Sequence, residues 1–257
     1  MKVVILAGGF GTRLGELTEI VPKPMVEIGD KPILWHIMKI YSVHGFNDFI
    51  ICLGYKGDII KKYFYELYTM SNNITIDTIN GSFTINKNKS PNWKVSLIDT
   101  GLNTTTGGRL LRVQEFIDGE AFMMTYGDGL ANIDLNKLLQ LHKSHGKIAT
   151  ITAVHPPPRF GILNIAKSGQ VISFSEKPED SSWINGGFFV LNKEVFKYIS
   201  KNEPYFEGYP LSNLAKDGEL YAYKHHGFWR PMDTLSDKKF LEDLWNTGKA
   251  EWKIWND

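Results

Sequence analysis

The stretch "LAGGFGTRLGE", residues 6–16, begins with the last two residues of the apolar run "VVILA", residues 3–7. A continuous apolar run bounded by turn residues predicts a strand buried on both faces of a parallel sheet. Glycines after such a strand let backbone N–H groups turn toward a ligand without obstruction from side chains. Arg13 adds a planar, charged fork that suits phosphate oxygens. The stretch therefore predicts a strand that ends in an anion-binding loop, with a tight structural turn as the alternative.

The glycine spacing does not match the two best-known phosphate-binding motifs. A dinucleotide-binding fingerprint requires G-x-G-x-x-G, but Leu14 stands at the third position after Gly9 and Gly11, and Gly15 comes one residue late. A Walker loop requires four residues between its glycines and then Gly-Lys-Ser/Thr, whereas five separate Gly9 from Gly15 and Glu16 follows. A dinucleotide-dependent oxidoreductase is therefore disfavoured.

Apolar runs alternate with helical periodicity along the first part of the chain. "KVVILA" and "DFIICLG" predict strands, whereas "KPILWHIMKIYSVHG" and "GDIIKKYFYELY" predict helices. This order predicts a doubly wound α/β fold with a mostly parallel sheet and helices on both faces. Because no Pro- or Ser-rich linker divides the chain, we expect one domain over residues 1–257. We also expect an inserted β arm over 69–98, a hairpin at "ILNIAKSGQVISFSEK", and a C-terminal helix and tail over 236–257.

The composition excludes several classes of function. The 257 residues carry a formal net charge of +1, which leaves no broad basic field to attract nucleic acid. No apolar stretch approaches the length of a membrane span, and the N-terminal apolar run is too short for a signal peptide. The single cysteine, Cys52, lies in an apolar run and cannot form an intramolecular disulfide. We therefore expect a cytoplasmic protein that binds neither nucleic acid nor membrane.

A second cationic position follows the glycine loop. "PKPMVEIGDKP" places Lys23 between two prolines, which restrict the backbone and lower the entropic cost of fixing this lysine on a ligand. "GGFGTRL" followed by "PKPM" resembles the signature of the sugar-1-phosphate nucleotidylyltransferases. The resemblance continues in "TYGDG", "SFSEKP", "INGGFFV" and "GFWRPMDT", so it spans nearly the whole chain. Such motifs in one order are a strong signal, although any one of them is weak.

The resemblance implies a fold and a reaction. In this family the phosphate of a sugar 1-phosphate attacks the α-phosphorus of a nucleoside triphosphate, and pyrophosphate leaves. The implied fold is a Rossmann-like nucleotidyltransferase domain with a mixed, mostly parallel sheet and inserted hairpin arms. Because both reactants are anions, catalysis depends on in-line alignment and charge neutralisation and needs no side-chain nucleophile. Mg²⁺ is the implied cofactor, since it prefers a few carboxylates together with phosphate oxygens and water.

The resemblance also assigns roles to individual residues. Asp128, after the strand "AFMMTY", and Asp233, after "GFWRPM", match the family's metal ligands, with helix capping as the alternative for Asp233. Arg13 and Lys23 complete the catalytic set, because they are expected to neutralise the departing pyrophosphate. The predicted nucleotide site comprises Leu6, Ala7, Gly8, Gly9, Gly11, Thr12, Arg13, Lys23, Thr104 and Arg109. The predicted sugar-phosphate site comprises Gly161, Glu176, Lys177, Asn185 and Gly186.

The segment "DTGLNTTTGGR" is expected to govern the choice of base. It resembles the cytidylyl branch of the family, which implies CTP and glucose 1-phosphate as substrates. Spacing alone does not distinguish cytosine from uracil, so the same reaction with another base or hexose is the close alternative. A non-catalytic relative that binds nucleotide-sugars is an alternative of a different class. The resemblance further implies a homo-oligomer, expected to be a hexamer, and a role in making deoxysugars for surface polysaccharide.

Overall fold

The computed structural model describes residues 1–11, 14–87, 90–156, 161–176, 182–200, 202 and 205–256. The strands are β1 (Lys2–Leu6), β2 (Glu27–Ile28), β3 (Lys31–Pro32), β4 (Asp48–Leu53), β5 (Asn73–Asp77), β6 (Ser82–Lys87), β7 (Lys94–Asp99), β8 (Ala121–Tyr126), β9 (Gly129–Ala131), β10 (Ala149–Val154), β11 (Ile162–Ile165), β12 (Val171–Ser175), β13 (Ile184–Asn192), β14 (Leu220–Lys224) and β15 (Trp229–Pro231). The α-helices are α1 (Glu16–Ile20), α2 (Ile33–Val43), α3 (Gly57–Met70), α4 (Thr106–Val113), α5 (Leu135–His145), α6 (Tyr209–Lys216) and α7 (Leu235–Asn246).

Within the described ranges, seven strands form a central sheet in the order β14-β10-β13-β8-β1-β4-β7. The four strands β8, β1, β4 and β7 are parallel to one another, and β14 is parallel to β10. Only β13 runs antiparallel to both of its neighbours in this sheet. The predicted α/β fold with a mixed, mostly parallel sheet is thus confirmed.

Side chains of β1 alternate between two hydrophobic cores, one on each face of the sheet. Val3 and Ile5 belong to the core that contains residues of α2, α3, α5 and α7. Val4 and Leu6 belong to the second core, which contains residues of α4 and α6. Because helices cover both faces, the strand is a continuous apolar run, as the sequence predicted. The loop after Leu6 therefore emerges at the carboxyl edge of the sheet.

The inserted β arm is shorter than the predicted 69–98. The hairpin consists of β5 and β6, whereas residues 69 and 70 complete α3. β7 instead pairs in parallel with β4 and forms one edge of the central sheet. Its Val95 and Leu97 are only partly buried against the core, so its residue pattern resembles that of a hairpin strand.

The other predicted elements agree with the structure. β11 and β12 form the predicted hairpin, and Gly169, with φ +88°, supplies the left-handed backbone that its turn needs. The predicted C-terminal helix is α7, and Trp252 in the tail that follows is buried in the core beside α2. Among the described residues, no helix combines the length and apolar character needed to cross a membrane.

Candidate active site

A cavity of about 650 Å³ opens at the carboxyl ends of β1 and β8, where open α/β sheets bind their ligands. This volume falls within the range of about 300–1,000 Å³ that is usual for small-molecule sites. The cavity brings together predicted residues from distant parts of the chain. They are Leu6, Ala7, Gly8, Gly9, Gly11, Lys23, Thr104, Arg109, Asp128, Asn185, Gly186 and Asp233.

The remaining predicted site residues are not in this group. Gly161 and Glu176 lie beside each other near the β11–β12 hairpin, since a Cβ on Gly161 would lie 3.1 Å from Glu176 Oε2. Neither of these two residues lines the cavity. Thr12, Arg13 and Lys177 lie outside the described residues, so their predicted roles stay predictions.

Two glycines of the loop occupy positions where a larger residue does not fit. Gly11 has φ +66°, and a Cβ there would lie 2.9 Å from Cβ of Lys23. A Cβ on Gly8 would lie 2.1 Å from Nη1 of Arg109. The Thr18 hydroxyl lies 3.3 Å from the Gly11 carbonyl oxygen and so helps to hold the loop in place. Glycine at these positions therefore lets the loop backbone pack directly against two cationic side chains.

Arg109 holds the strand ends together beneath the loop. It is predicted to contact the nucleotide, but only 4% of the residue is exposed and its guanidinium nitrogens donate mainly to backbone carbonyls. Its acceptors, at 2.7–3.2 Å, are Leu53 O, Thr100 Oγ1, Gly101 O, Gly8 O and Leu102 O. The geometry thus gives Arg109 a structural task at the floor of the cavity, and any contact with the nucleotide stays a prediction.

Lys23 lies between the two predicted metal ligands. Its Nζ donates to Asp128 Oδ2 at 2.6 Å and to Asp233 Oδ1 at 2.7 Å. Burial acts to lower the pKa of Lys23, but the charge and hydrogen bonds of the two carboxylates outweigh it and raise the pKa above its usual value. Lys23 therefore keeps its positive charge at neutral pH.

A short antiparallel ribbon explains how two aspartates so distant in sequence converge. β9 pairs with β15, with Gly129 opposite Pro231, so the residues flanking this pair are adjacent. The Met232 N–H donates to the Asp128 carbonyl at 2.9 Å and extends the pairing by one step. The ribbon lies outside the central sheet, so the strand before Asp233 is antiparallel to its partner. Ligands of open α/β sheets usually bind at the ends of parallel strands instead.

Helix capping at α7 belongs to Thr234 and not to Asp233. The Thr234 hydroxyl accepts from the Asp237 N–H at 3.2 Å, and Asp237 Oδ2 accepts from the Thr234 N–H at 3.0 Å. This reciprocal pair is a capping box. The capping alternative for Asp233 is therefore wrong, and its carboxylate is directed to Lys23 in the cavity.

The two carboxylates suit a divalent cation that takes its remaining ligands from oxygen atoms of the substrates. Asp128 and Asp233 already direct carboxylate oxygens at a single positive centre, the Lys23 ammonium. Among the described residues, no group of three or more His, Cys, Asp or Glu side chains could hold a metal ion. One or two carboxylates together with phosphate oxygens and water is the usual arrangement for Mg²⁺ in nucleotide enzymes.

The predicted sugar-site residues Asn185 and Gly186 form one wall of the cavity. Asn185 Oδ1 accepts from the Gly187 N–H at 2.8 Å, so its Nδ2 faces Tyr126 and donates to the phenolic oxygen at 3.2 Å. Trp229 Nε1 donates to the Gly186 carbonyl at 2.7 Å. These contacts fix both the side chain and the backbone of this wall.

Tyr126 and Trp229 line the cavity although the sequence analysis did not assign them a role. Both stand inside recognised motifs, "TYGDG" and "GFWRPMDT", and both combine an apolar ring with a polar tip. Burial, reinforced by the Glu207 carboxylate, raises the pKa of Tyr126, so its hydroxyl stays protonated and donates. The signal available in the sequence was that each of these two residues shares a motif with a predicted metal ligand.

The sequence belongs to the nucleotidyl transferase family, whose sequence model matches residues 2–243. Two curated relatives are the glucose-1-phosphate cytidylyltransferases of Salmonella typhimurium and Salmonella typhi. Each is 55% identical over 257 residues, which are 99% of this chain and 100% of the relative. The crystal structure of HddC from Yersinia pseudotuberculosis, complexed with GMP-PN, superposes with a TM-score of 0.69 at 25% identity. It covers 95% of this chain and 99% of HddC.

Proposed function

We propose that this protein transfers the cytidylyl group of CTP to glucose 1-phosphate, which yields CDP-glucose and pyrophosphate. Full-length similarity at 55% identity to two glucose-1-phosphate cytidylyltransferases supports the choice of substrates. The convergence of Lys23, Asp128 and Asp233 in the cavity is the structural observation that carries the proposal. A non-catalytic relative would have no need to keep this charged group intact.

In the proposed reaction, an oxygen of the sugar phosphate forms a bond to the α-phosphorus of CTP. The bond from that phosphorus to the oxygen shared with the β-phosphate breaks, and pyrophosphate leaves with the electron pair. The ammonium of Lys23 neutralises charge on the phosphates, and the glycine loop offers backbone N–H groups to them. The wall of Asn185 and Gly186 receives the hexose.

Mg²⁺ is the cofactor we propose, held by Asp128 and Asp233. Members of this family generally use a divalent metal. When bound, Mg²⁺ supplies positive charge to the triphosphate. The preference of Mg²⁺ for few carboxylates plus phosphate oxygens matches the two-aspartate site better than the preference of Ca²⁺ for six to eight oxygen ligands.

Further sequence predictions accompany this proposal. Lys177 is proposed to bind the phosphate of glucose 1-phosphate, and Arg13 and Thr12 the triphosphate. A hexameric homo-oligomer, a cytoplasmic location and a role in deoxysugar supply for surface polysaccharide also stay predictions.

The proposal is tested by incubating the purified protein with CTP, glucose 1-phosphate and MgCl₂. Pyrophosphate release and a product with the mass of CDP-glucose are expected, and both should vanish when EDTA replaces MgCl₂. Lys23→Met should lose most of the pyrophosphate release, because it removes the ammonium from the cavity. Lys31→Met is the matched control and should keep it, because Lys31 pairs with Asp30 at 3.2 Å and does not line the cavity. Binding of both substrates by the wild-type protein without pyrophosphate release would favour the non-catalytic relative.

A further inference from the structure

We infer that Glu207 is a positioning residue for the sugar-phosphate substrate. It lies in the loop before α6 and is exposed, and it does not line the cavity itself. Its carboxylate nevertheless accepts from two side chains that do line the cavity, one at each carboxylate oxygen. Tyr126 donates to Glu207 Oε1 at 2.5 Å, and Thr106 donates to Glu207 Oε2 at 2.6 Å.

The hydrogen bonds around Glu207 have only one consistent direction. A carboxylate accepts only, so the hydroxyl groups of Tyr126 and Thr106 must both donate to it. Each hydroxyl oxygen is then left to accept. Thr106 Oγ1 accepts from the Phe206 N–H at 2.9 Å, and Tyr126 Oη accepts from Asn185 Nδ2 at 3.2 Å.

The chain of bonds therefore ends on the sugar-site wall. Because Asn185 Oδ1 accepts from the Gly187 N–H at 2.8 Å, its amide is held at both ends. Gly187 has φ +80°, a backbone conformation that favours glycine, and a Cβ there would lie 2.7 Å from Cδ2 of Tyr126, so its backbone packs against the Tyr126 ring. Glu207 thus acts on the substrate through Tyr126 and Asn185.

The two acceptor oxygens of Glu207 are essential to this arrangement. A glutamine in its place carries one donor and one acceptor end, whereas both neighbours need an acceptor. If the amide N–H₂ faced Tyr126, it would meet a hydroxyl oxygen that already accepts from Asn185. If it faced Thr106, it would meet an oxygen that already accepts from Phe206. Because a hydroxyl oxygen has two lone pairs, either oxygen can accept a second bond, but its own hydrogen must then turn away from position 207. The Glu207→Gln variant therefore removes one of the two O–H donations, and it removes the negative charge that strengthens the other, without changing the shape of the side chain.

The inference rests on the proposed function, in which Asn185 contacts the hexose. In steady-state assays, Glu207→Gln should raise KM for glucose 1-phosphate about fivefold to tenfold, as expected when one ordinary hydrogen bond that positions the substrate is lost. KM for CTP and kcat should change less than about twofold. Tyr126→Phe should show the same pattern, and the double variant should lose no more than either single variant, because the two residues act in one chain.

Glu219→Gln is the matched control. Glu219 is also hydrogen-bonded, to Lys147 Nζ at 3.1 Å and to the Ile148 N–H at 3.2 Å, but it does not line the cavity. Its kinetic constants should equal those of the wild type. Two results would show that Glu207 only stabilises the loop. One is additive losses in the double variant. The other is a lower melting temperature together with parallel rises in KM for CTP and for glucose 1-phosphate.

Calorimetric titration with glucose 1-phosphate separates failure of this inference from failure of the proposed function. A wild-type protein that does not turn over CTP and glucose 1-phosphate refutes the proposed reaction. The dissociation constant for glucose 1-phosphate still tests Glu207 in that case, and the same fivefold to tenfold weakening is expected. An unchanged dissociation constant or KM in Glu207→Gln overturns the inference alone.

Discussion

The ammonium group of Lys23 joins the two aspartates of the site, Asp128 and Asp233. Two carboxylates lie within hydrogen-bonding distance of its ammonium, and the side chain is only 12% exposed. The flanking Pro22 and Pro24 hold its backbone in a short 3-10 turn over Lys23–Met25, so the cation is directed into the cavity before any ligand binds. This preorganisation reduces the entropic cost of binding a triphosphate.

The adjacent residues Asp233 and Thr234 should respond to mutation in opposite ways. Asp233→Asn keeps the size of the side chain but removes its charge, so activity should fall about 100-fold or more while the melting temperature changes little. Thr234→Ala removes the cap of α7, so the free energy of unfolding should fall by about 1 kcal/mol with activity retained. Thermal melts and initial rates of pyrophosphate release across a range of Mg²⁺ concentrations check both variants.

Asp128→Asn should behave like Asp233→Asn, because both aspartates are proposed to hold the same cation. Both variants should need more Mg²⁺ for half-maximal activity. Full activity of Asp233→Asn at low Mg²⁺ would refute the two-carboxylate site.

Sequence motifs identified Lys23, Asp128 and Asp233, but they gave no sign of Glu207. The motif residues lie next to glycine or proline turns, whose local geometry is visible in the sequence. Glu207 contacts Tyr126 across 81 positions, and Thr106 across 101. A contact between such distant positions depends on how the loops fold over the sheet, and an exposed glutamate in a loop carries no local signal of it.

Arg109 connects four parts of the chain around the end of the cavity that we assign to the nucleotide. Its helix α4 is tied to the loop after β1, to the end of β4 and to the segment after β7. Arg109 therefore acts as a cross-link between these strand ends, in addition to the bonds that Tyr55 N–H donates to the Gly8 carbonyl and the Thr100 hydroxyl to the Leu53 carbonyl.

The Arg109→Met variant should lose about 3 kcal/mol or more of unfolding free energy, because it removes the hydrogen bonds that a buried guanidinium donates to four carbonyl oxygens and to the Thr100 hydroxyl. Arg112→Met on the same helix is the control. Arg112 is exposed and donates to Thr104 Oγ1 at 2.6 Å as well as to the Thr100 carbonyl, so its loss should cost about 1 kcal/mol. Urea denaturation measures both, and equal stabilities of the two variants would contradict the cross-link.

His36 on α2 connects the helix to the C-terminal tail and makes stability depend on pH. It is fully buried, and its Nε2 lies 3.0 Å from the Ile28 carbonyl and therefore carries the proton. Burial lowers the pKa of His36 to about 4, against 6.5 for an ordinary histidine. The unfolded chain thus takes up a proton first as the pH falls, so this contribution to stability is complete above pH 6.5 and is lost between 6.5 and 4.

We expect the wild type to lose about 3 kcal/mol through His36 on acidification to pH 4. His36→Gln should therefore show a smaller fall in unfolding free energy between pH 7 and pH 4, as measured by urea denaturation at each pH. The exposed His226 offers the control variant His226→Gln, which should keep the wild-type pH dependence. An identical pH dependence in His36→Gln would mean that His36 is not the group responsible.

Elements buried on both faces were predictable, whereas the boundary of the inserted arm was not. β1 and β4 are long apolar runs, and only a central parallel strand satisfies such a pattern. β7 lies at the edge of the sheet, where it is partly solvated, and its sequence has the pattern of an exposed hairpin strand. The topology of the sheet determines that β7 pairs with β4, and the composition of β7 does not indicate this partner.

One mixed sheet positions both halves of the proposed two-substrate site across the whole molecule. The loop after β1 and the segment before α4 form the end that we assign to the nucleotide, and β13 with the β9–β15 ribbon forms the end that we assign to the sugar. The fold alone does not select the base, since HddC superposes well and was solved with GMP-PN. The choice of CTP depends on the identity to the cytidylyltransferases and on the segment that contains Thr104.

The rate of pyrophosphate release with each nucleoside triphosphate tests whether the protein transfers a cytidylyl group. Purified protein, glucose 1-phosphate and MgCl₂ are combined separately with CTP, UTP, dTTP, GTP and ATP, and kcat/KM is measured for each. CTP should exceed every other nucleotide by about 100-fold or more, because a site built around polar base edges leaves groups unpaired with the wrong base. Equal or faster turnover with UTP or dTTP would contradict the assignment of cytidylyl transfer and leave the fold unaffected.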